Sequence, residues 1–235
     1  MEPSSPPAVD RVGRHIQRYV RAILTDGWLP TPGTAHWEVM RLRWNSPAPA
    51  NLLTDPNYVA LARRSLNAWG AFRSRPSPPV EVLQSAFASI RPNVRRLLDV
   101  SLLTYAPERH LDDVVAVFVK LRGIKDVERN WVATSKALYL VLPDLIPPMD
   151  NLFTRPYLEE WPVGPNVGRD RAATTAFLDH AFAHFSGIAR SANETTLHRL
   201  AGLHWHPGAA PDVPRFGLAR VVDVAIAGFV AQSGR

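Results

Sequence analysis

The sequence predicts an all-α protein, a compact multi-helix domain, and three observations lead to that class. Apolar residues recur at every third or fourth position along much of the chain, which is the spacing of one helix face. Alternation of apolar and polar residues almost never extends beyond four positions, so no sheet is predicted. The 22 prolines and 13 glycines divide the helical stretches into short and medium lengths joined by stiff corners.

Composition excludes several classes of site and of location. The chain has no cysteine, so disulfides, cysteine-bound zinc and a thiol nucleophile are excluded. Residues 1–8 are polar and proline-rich and are predicted to form a flexible tail without the apolar stretch of a signal peptide. No apolar run reaches the length of a membrane span. A cytoplasmic protein that does not contact a membrane is therefore expected.

The net charge favours a polyanionic partner. It is +6, the isoelectric point is about 10.1, and only three of the 27 basic residues are lysines. Arginine binds phosphate through two parallel hydrogen bonds and stacks on bases, which suits a nucleic-acid partner, and DNA is the partner expected. The competing interpretation is that a GC-rich genome simply prefers arginine codons, because net charge alone does not define a function.

The first predicted helix covers 9–24, with Asp10 as its N-cap. Apolar residues lie at helical spacing along it, and four arginines occupy the positions between them: Arg11, Arg14, Arg18 and Arg21. Two interpretations of this basic face remain open at the level of sequence. It is either an ordinary solvated face or a surface that follows the phosphates of a nucleic acid.

The remaining helices follow from the same periodicity and from their capping residues. Asp55 and Pro56 mark one helix start, with the carboxylate at the cap and proline in the first turn. Further helices are predicted over 57–69 or 57–72, and over 80–89, 92–103, 111–121, 126–142, 151–160, 170–186, 193–203 and 218–230. The short run 36–44 is either a helix or a strand, and a helix is favoured. The proline-rich stretch 73–79 is either a linker within one helical domain, residues 9–232, or a boundary between two packed lobes.

The stretch from Leu121 to Arg155 carries the most informative pattern. Gly123 interrupts two predicted helices, and such a turn presents backbone N–H groups at a helix N-terminus, where a phosphate is favourably held. A stiff turn with Pro143 and Pro147 follows the second helix and leads to Asp150. A carboxylate on that turn can be aimed at whatever the first turn binds.

This arrangement resembles the helix-hairpin-helix DNA glycosylases and implies such an element near 111–150. Within the resemblance Gly123 and Ile124 match hairpin positions, and Asp150 matches the catalytic aspartate. Arg122 and Lys125 stand where the family has proline and a second glycine, and Lys136 does not fall at the nucleophile position of bifunctional members. The resemblance implies DNA binding without a cofactor. The residues expected to contact nucleic acid are Arg122, Gly123, Lys125, Arg129 and Arg155.

The chain also resembles a family of uncharacterised bacterial all-α proteins, from which no function follows. Four short motifs carry that resemblance: Leu66 with Trp69 and Gly70, Ser135-Lys136 with Leu138, Pro143 with Pro147 and Asp150, and Arg220 with Asp223. They are spread over most of the sequence.

Ordinary structural roles are the alternatives for the charged residues of these motifs. An aspartate after proline commonly caps the next helix, as Asp150 would cap the helix that follows it. Lys136 lies on an otherwise apolar helix and is expected to form an ion pair with Asp150 or Asp223.

A metal site is the weaker alternative to nucleic-acid chemistry. His180 and His184 lie four positions apart on one predicted helix, which is the spacing that brings two imidazoles to one metal ion. Three other histidines could add ligands: His198, His204 and His206. The glutamate expected beside the first histidine of a metalloprotease motif is absent, and no metal is predicted.

Two functions therefore remain open from the sequence. The leading one is a nucleic-acid-binding helical protein related to DNA glycosylases, with Asp150 as the catalytic carboxylate. The other is a helical scaffold or partner-binding protein without enzymatic activity, in which Asp150 is a helix cap.

Overall fold

The computed structural model of the chain describes residues 6–25, 34–72, 76–121, 131–158, 170–202 and 216–233. These residues form α-helices without a strand, which confirms the all-α prediction. The helices are α1 (Pro6–Arg14), α2 (Ile16–Thr25), α3 (Thr34–Asn45), α4 (Pro56–Ala68), α5 (Val80–Leu97), α6 (Pro107–Leu121), α7 (Trp131–Tyr139), α8 (Thr154–Leu158), α9 (Arg171–Ser191), α10 (Glu194–Ala201) and α11 (Leu218–Ser233). One 3-10 helix, Pro49–Thr54, precedes α4.

The first predicted helix is in fact two helices, α1 and α2, that meet at His15. The backbone N–H of His15 still donates to the Arg11 carbonyl at 3.2 Å, so the chain keeps nearly the same course. The helix begins at Pro6, inside the predicted tail, and the prediction of Asp10 as its N-cap is wrong. The Asp10 carboxylate instead accepts hydrogen bonds from Arg14 and from Ser191 of α9.

A second difference concerns Pro92, which was expected to separate two helices but lies inside α5. Proline removes one backbone hydrogen bond and crowds the preceding turn, so an interior position costs about 3 kcal/mol. Pro92 itself is exposed, while Ile90, Val94 and Leu97 continue one buried face through the position. Packing of that face against α6 holds the helix together across the proline.

The buried apolar side chains form one continuous core, and α7 and α11 lie deepest in it. Eight of the nine residues of α7 are buried, and α11 is buried from Leu218 to Gly228. Helix α7 packs against α4 and α6, whereas α11 packs against α2, α8, α9 and α10. Polar residues on these two helices are therefore removed from water and need partners inside the protein.

The proline-rich turn after α7 fixes where α11 begins. The carboxylate of Asp144 accepts the backbone N–H of Leu218 at 2.9 Å, and the carbonyl of Pro143 accepts that of Ala219 at 3.2 Å. Gly217 has a φ of 81°, and a Cβ there would lie 2.3 Å from the Pro143 carbonyl oxygen. Only glycine fits this close approach, which places the start of α11 against the end of α7.

None of the helices in the described ranges combines the length and the apolar character that crossing a bilayer demands.

Candidate functional site

Trp69 lies at the centre of the most polar part of the core. It follows the last residue of α4, and Gly70 after it has a φ of 70°. The N–H of Ala71 donates back to the Leu66 carbonyl at 2.9 Å, which completes a Schellman-type helix end. The chain turns away there, so the indole ring and the carbonyl of Trp69 project into the core, where the residue is 4% exposed.

Lys136 of α7 binds both parts of Trp69. Its Nζ donates to the Trp69 carbonyl at 2.9 Å and lies 5.1 Å from the centre of the indole ring. The carbonyls at a helix C-terminus carry partial negative charge, so a cation there is favourable. A cation over the face of tryptophan is also attracted by its ring quadrupole. These contacts explain how an ammonium group can be buried on an apolar helix.

Arg220 and Asp223 of α11 form a buried ion pair that also contacts Trp69. Nη1 of Arg220 donates to Oδ2 of Asp223, and both side chains are more than nine-tenths buried. The Arg220 guanidinium carbon lies 5.2 Å from the centre of the Trp69 ring. We call the four residues Trp69, Lys136, Arg220 and Asp223 the Trp69 cluster.

The pKa of Asp223 reflects this enclosure. Burial raises the pKa to about 7, although the nearby Arg220 opposes that shift. The charge of Asp150 raises the pKa further, and that of Lys136 lowers it. Asp150 is thus close enough for its charge to act on the Trp69 cluster.

Asp150 lies half-buried beside the cluster and is fixed through one carboxylate oxygen. Oδ1 accepts the backbone N–H groups of Leu152 at 2.8 Å, Phe153 at 2.6 Å and Thr154 at 3.4 Å. The Asp150 N–H donates in return to the Thr154 hydroxyl at 3.1 Å. The predicted capping role of Asp150 is confirmed by these bonds. The other oxygen, Oδ2, accepts no hydrogen bond from any residue that the structure describes.

A neutral aromatic layer covers the cluster on the side of α3. The ring of His36 lies 5.1 Å from that of Trp69 and is stacked on Tyr139 at 6.0 Å. Nδ1 of His36 is 3.2 Å from the Ser65 hydroxyl. Burial lowers the pKa of His36 to about 3, and the positive charge of Arg220 lowers it further. His36 is therefore an uncharged part of the wall at neutral pH.

The structure brings together motifs that are far apart in the sequence. Lys136 and Arg220 meet on Trp69, while the charge of Asp150 acts on Asp223. The Ser135 hydroxyl, next to Lys136, accepts the N–H of Met149 at 3.0 Å and so holds the turn just before Asp150. Burying several charges together is costly unless they are paired and hydrogen-bonded. Such clusters are often found at functional sites.

The other predicted nucleic-acid contacts are only partly covered by the structure. Arg122, Gly123, Lys125 and Arg129 lie outside the described residues, and so does the expected hairpin. Arg155 is half-buried in α8, and its backbone N–H donates to the carbonyl of Asp150 at 3.1 Å. That bond places Arg155 one helical turn from the candidate carboxylate.

The two histidines considered for a metal site are close to each other. The rings of His180 and His184 are 4.6 Å apart, and Nε2 of His180 is 3.3 Å from the Leu158 carbonyl. Within the described ranges no group of three or more histidine, aspartate or glutamate side chains is placed to hold a metal ion. His198 lies 3.6 Å from Glu194 on α10, and His204 and His206 are outside these ranges.

Two residues of the site were not identified as such from the sequence. Arg220 was noted only within a motif, although a basic and an acidic residue three positions apart on an apolar helix are a recognisable signal for a buried pair. His36 gave no comparable signal, because its role depends on Ser65 and Tyr139, which are distant in the sequence.

In the comparison with known proteins, no family model, no curated protein and no solved structure matches the chain.

Proposed function

We propose that this chain binds nucleic acid and acts on it as a base-excision enzyme of the DNA N-glycosylase type, with Asp150 as its catalytic carboxylate. The observation that carries the proposal is the state of Asp150. Three backbone N–H groups orient it through Oδ1, while Oδ2 accepts no hydrogen bond within the described residues. Such chemistry requires a carboxylate that is held in a fixed position and still has one oxygen available to the substrate.

The chemistry follows from that geometry. A flipped-out nucleotide would place its C1′ beside Oδ2 of Asp150. The N-glycosidic bond breaks, and the base leaves with the bonding electron pair and takes up a proton from solvent. The carboxylate stabilises the cationic character that develops on the sugar and accepts a proton from the attacking water, whose oxygen adds to C1′; the carboxylate then returns that proton to solvent. The products are the free base and an abasic site.

The Trp69 cluster would position this carboxylate rather than touch the substrate. Lys136 and Ser135 are consecutive on α7: the first is bound to Trp69, and the second holds the backbone of Met149. Asp223, paired with Arg220, lies behind Asp150 within range of its charge. The Ser135 bond thus holds the turn that carries Asp150 to α7, and the Trp69 cluster joins α7 to the end of α4 and to α11.

The charge of the chain supports a nucleic-acid substrate. The net charge is +6, and nearly all the basic residues are arginine, the side chain that binds phosphate bidentately. Arg155 lies beside Asp150 in α8.

A second function, a partner-binding helical protein without catalysis, is favoured by one observation. The bonds of Asp150 to Leu152, Phe153 and Thr154 are those of an ordinary N-cap. In that case the charge of Asp150 would be dispensable, and the two functions can be separated by removing the charge while keeping the cap.

Asp150→Asn makes that separation, because asparagine caps helices about as well as aspartate. Duplex oligonucleotides, each with one damaged or mismatched base from a panel, are incubated with an excess of protein. Abasic products are then cleaved by alkali and counted. We expect wild-type protein to release at least one of the bases and Asp150→Asn to be slower by about 10²- to 10⁴-fold.

Asp170→Asn is the matched control, since Asp170 caps α9 in the same way by accepting the N–H of Ala172 at 2.8 Å. It should release the base at the wild-type rate. Equal rates for wild type and Asp150→Asn, or no release by wild type from any duplex of the panel, would contradict the enzymatic proposal.

A further inference from the structure

The exposed arginines of α1 and α2 form a basic face, and we propose that this face binds the sugar-phosphate backbone of a nucleic-acid duplex. The face consists of Arg11, Arg14, Arg18 and Arg21, and we call it the arginine face. The inference rests on the proposed function and names the surface that the proposed function uses.

The four arginines form one row despite the break at His15. They follow one another at intervals of three, four and three residues, which keeps them on the same side of a helix. The backbone bond from His15 to the Arg11 carbonyl carries the helical course across the junction. At 1.5 Å per residue the row spans about 15 Å, and a duplex carries about nine phosphate charges over that length.

Most of this charge is not neutralised within the described part of the protein. Arg14 forms a surface ion pair with Asp10 at 2.8 Å. Arg11 and Arg18 instead lie over aromatic rings, with guanidinium carbons 5.9 Å from the centres of the Phe229 and Tyr19 rings. A guanidinium stacked on a ring keeps its N–H donors at the edge, where they remain able to bind phosphate.

The apolar side of the same helices is already occupied, which distinguishes this face from a membrane-binding helix. Ile16, Tyr19, Val20 and Ile23 are buried, and α2 packs closely along α11. A Cβ on Gly228 of α11 would lie only 2.2 Å from the Tyr19 carbonyl oxygen. A helix that binds a membrane surface needs a free apolar face to insert, and α2 has none to offer.

A series of contacts leads from the arginine face to the helix that follows Asp150. The ring of Phe229 in α11 lies 5.9 Å from the Arg11 guanidinium carbon, and its centroid is 6.0 Å from that of the Tyr157 ring. Tyr157 belongs to α8, which follows the turn that Asp150 caps. One duplex backbone could therefore follow the arginine face and continue toward the candidate carboxylate.

The test compares two triple variants with the same change of charge. The first replaces three residues of the face, Arg11→Gln, Arg18→Gln and Arg21→Gln. The second replaces three exposed arginines on other helices, Arg64→Gln, Arg109→Gln and Arg199→Gln. Binding of a fluorescent DNA duplex without damage is measured by anisotropy at several salt concentrations, and circular dichroism checks that each variant is folded.

We expect the face variant to bind more weakly at low salt and to show a smaller salt dependence. Each lost phosphate contact lowers the slope of log K against log salt by about 0.9, so three lost contacts lower it by about 2.7. The control variant should keep the wild-type slope. That pair of results supports the inference.

The other outcomes overturn it in distinguishable ways. An equal loss in both variants means that only net charge matters, and no loss in either means that the duplex binds elsewhere; the proposed function survives both. A face variant that loses binding to phosphatidylserine vesicles but keeps duplex binding assigns the face to a membrane. If wild-type protein does not bind the duplex at all, the proposed function itself fails.

Discussion

Lys136 donates a hydrogen bond from Nζ to the backbone carbonyl of Trp69, at 2.9 Å across 67 residues of sequence. The bond joins the most buried helix, α7, to the C-terminal end of α4. It places a positive charge where the helix leaves a carbonyl without an internal partner. The geometry of the Trp69 cluster depends on this contact, since Arg220 stacks on the same indole ring.

Replacing this lysine should destabilise the fold markedly. Lys136→Met keeps the apolar stem but leaves the buried Trp69 carbonyl without its donor, which costs about 1–3 kcal/mol. Urea unfolding measures the difference in free energy of unfolding. Arg64→Met, on the exposed face of α4, is the control and should change it by less than about 0.5 kcal/mol. Equal effects of the two substitutions would contradict the structural role assigned to Lys136.

Asp223 should make the folded protein less stable as pH rises. Its pKa lies at about 7 in the folded protein, against an ordinary value of 3.8. Between these values the folded state holds a proton that the unfolded state releases, so stability falls by up to about 1.4 kcal/mol per pH unit. Asp223→Asn removes this effect, and its stability relative to wild type should therefore increase from about pH 4 to about pH 7.

His36 should give the free energy of unfolding the opposite pH dependence, which the same series of urea titrations measures. Its pKa is about 3 in the folded protein and ordinarily 6.5, so its contribution is present above pH 6.5 and is lost as pH falls toward 3. His36→Gln should therefore gain stability relative to wild type as pH falls. A relative stability of Asp223→Asn that is independent of pH would contradict the raised pKa of Asp223.

The cap formed by Asp150 predicts a difference between two substitutions at the same position. Asp150→Ala removes the acceptor of three backbone N–H groups and should cost about 0.5–2 kcal/mol, whereas Asp150→Asn should cost little. Thermal unfolding followed by circular dichroism compares them. If the two variants unfold at the same temperature, Oδ1 does not cap the turn before α8 as described.

The close approach of α2 and α11 at Gly228 should make the stability of the protein sensitive to a larger residue at that position. A Cβ there would lie 2.2 Å from the backbone oxygen of Tyr19, so Gly228→Ala has to push α2 outward and should destabilise the protein by about 1–3 kcal/mol. The control is Gly202→Ala, where the nearest atom would lie at 3.5 Å. We expect no loss of stability at that position. Comparable losses would mean that the two helices are not packed as tightly as described.

The helices could be predicted well from the sequence, because the buried face of a helix is marked by apolar residues at every third or fourth position. Asp55 and Pro56 start α4 as expected, with the Asp55 carboxylate accepting the N–H of Asn57 at 2.8 Å. The errors arose where tertiary contacts overrode local preference. Pro92 remains inside α5 because its neighbours are buried against α6, and Asp10 bonds to Ser191 rather than to its own helix N-terminus.

The site was less predictable, because its contacts join distant segments. The cap at Asp150 follows from a local pattern and was predicted. Lys136 was expected to pair with an aspartate, but the bond to the Trp69 carbonyl depends on how α4 ends and could not be read from the sequence. Likewise, nothing local indicates that Lys136 and Arg220 both contact the ring of Trp69.

The most direct measurement of the central claim is the binding of wild-type protein to a fluorescent DNA duplex across a series of salt concentrations. We predict an affinity that falls linearly on a plot of log K against log salt, with a slope of about −0.9 for each phosphate contacted. Four arginines in the arginine face then give a slope of about −3.6. Absence of binding at low salt, or an affinity that does not change with salt, would contradict the account.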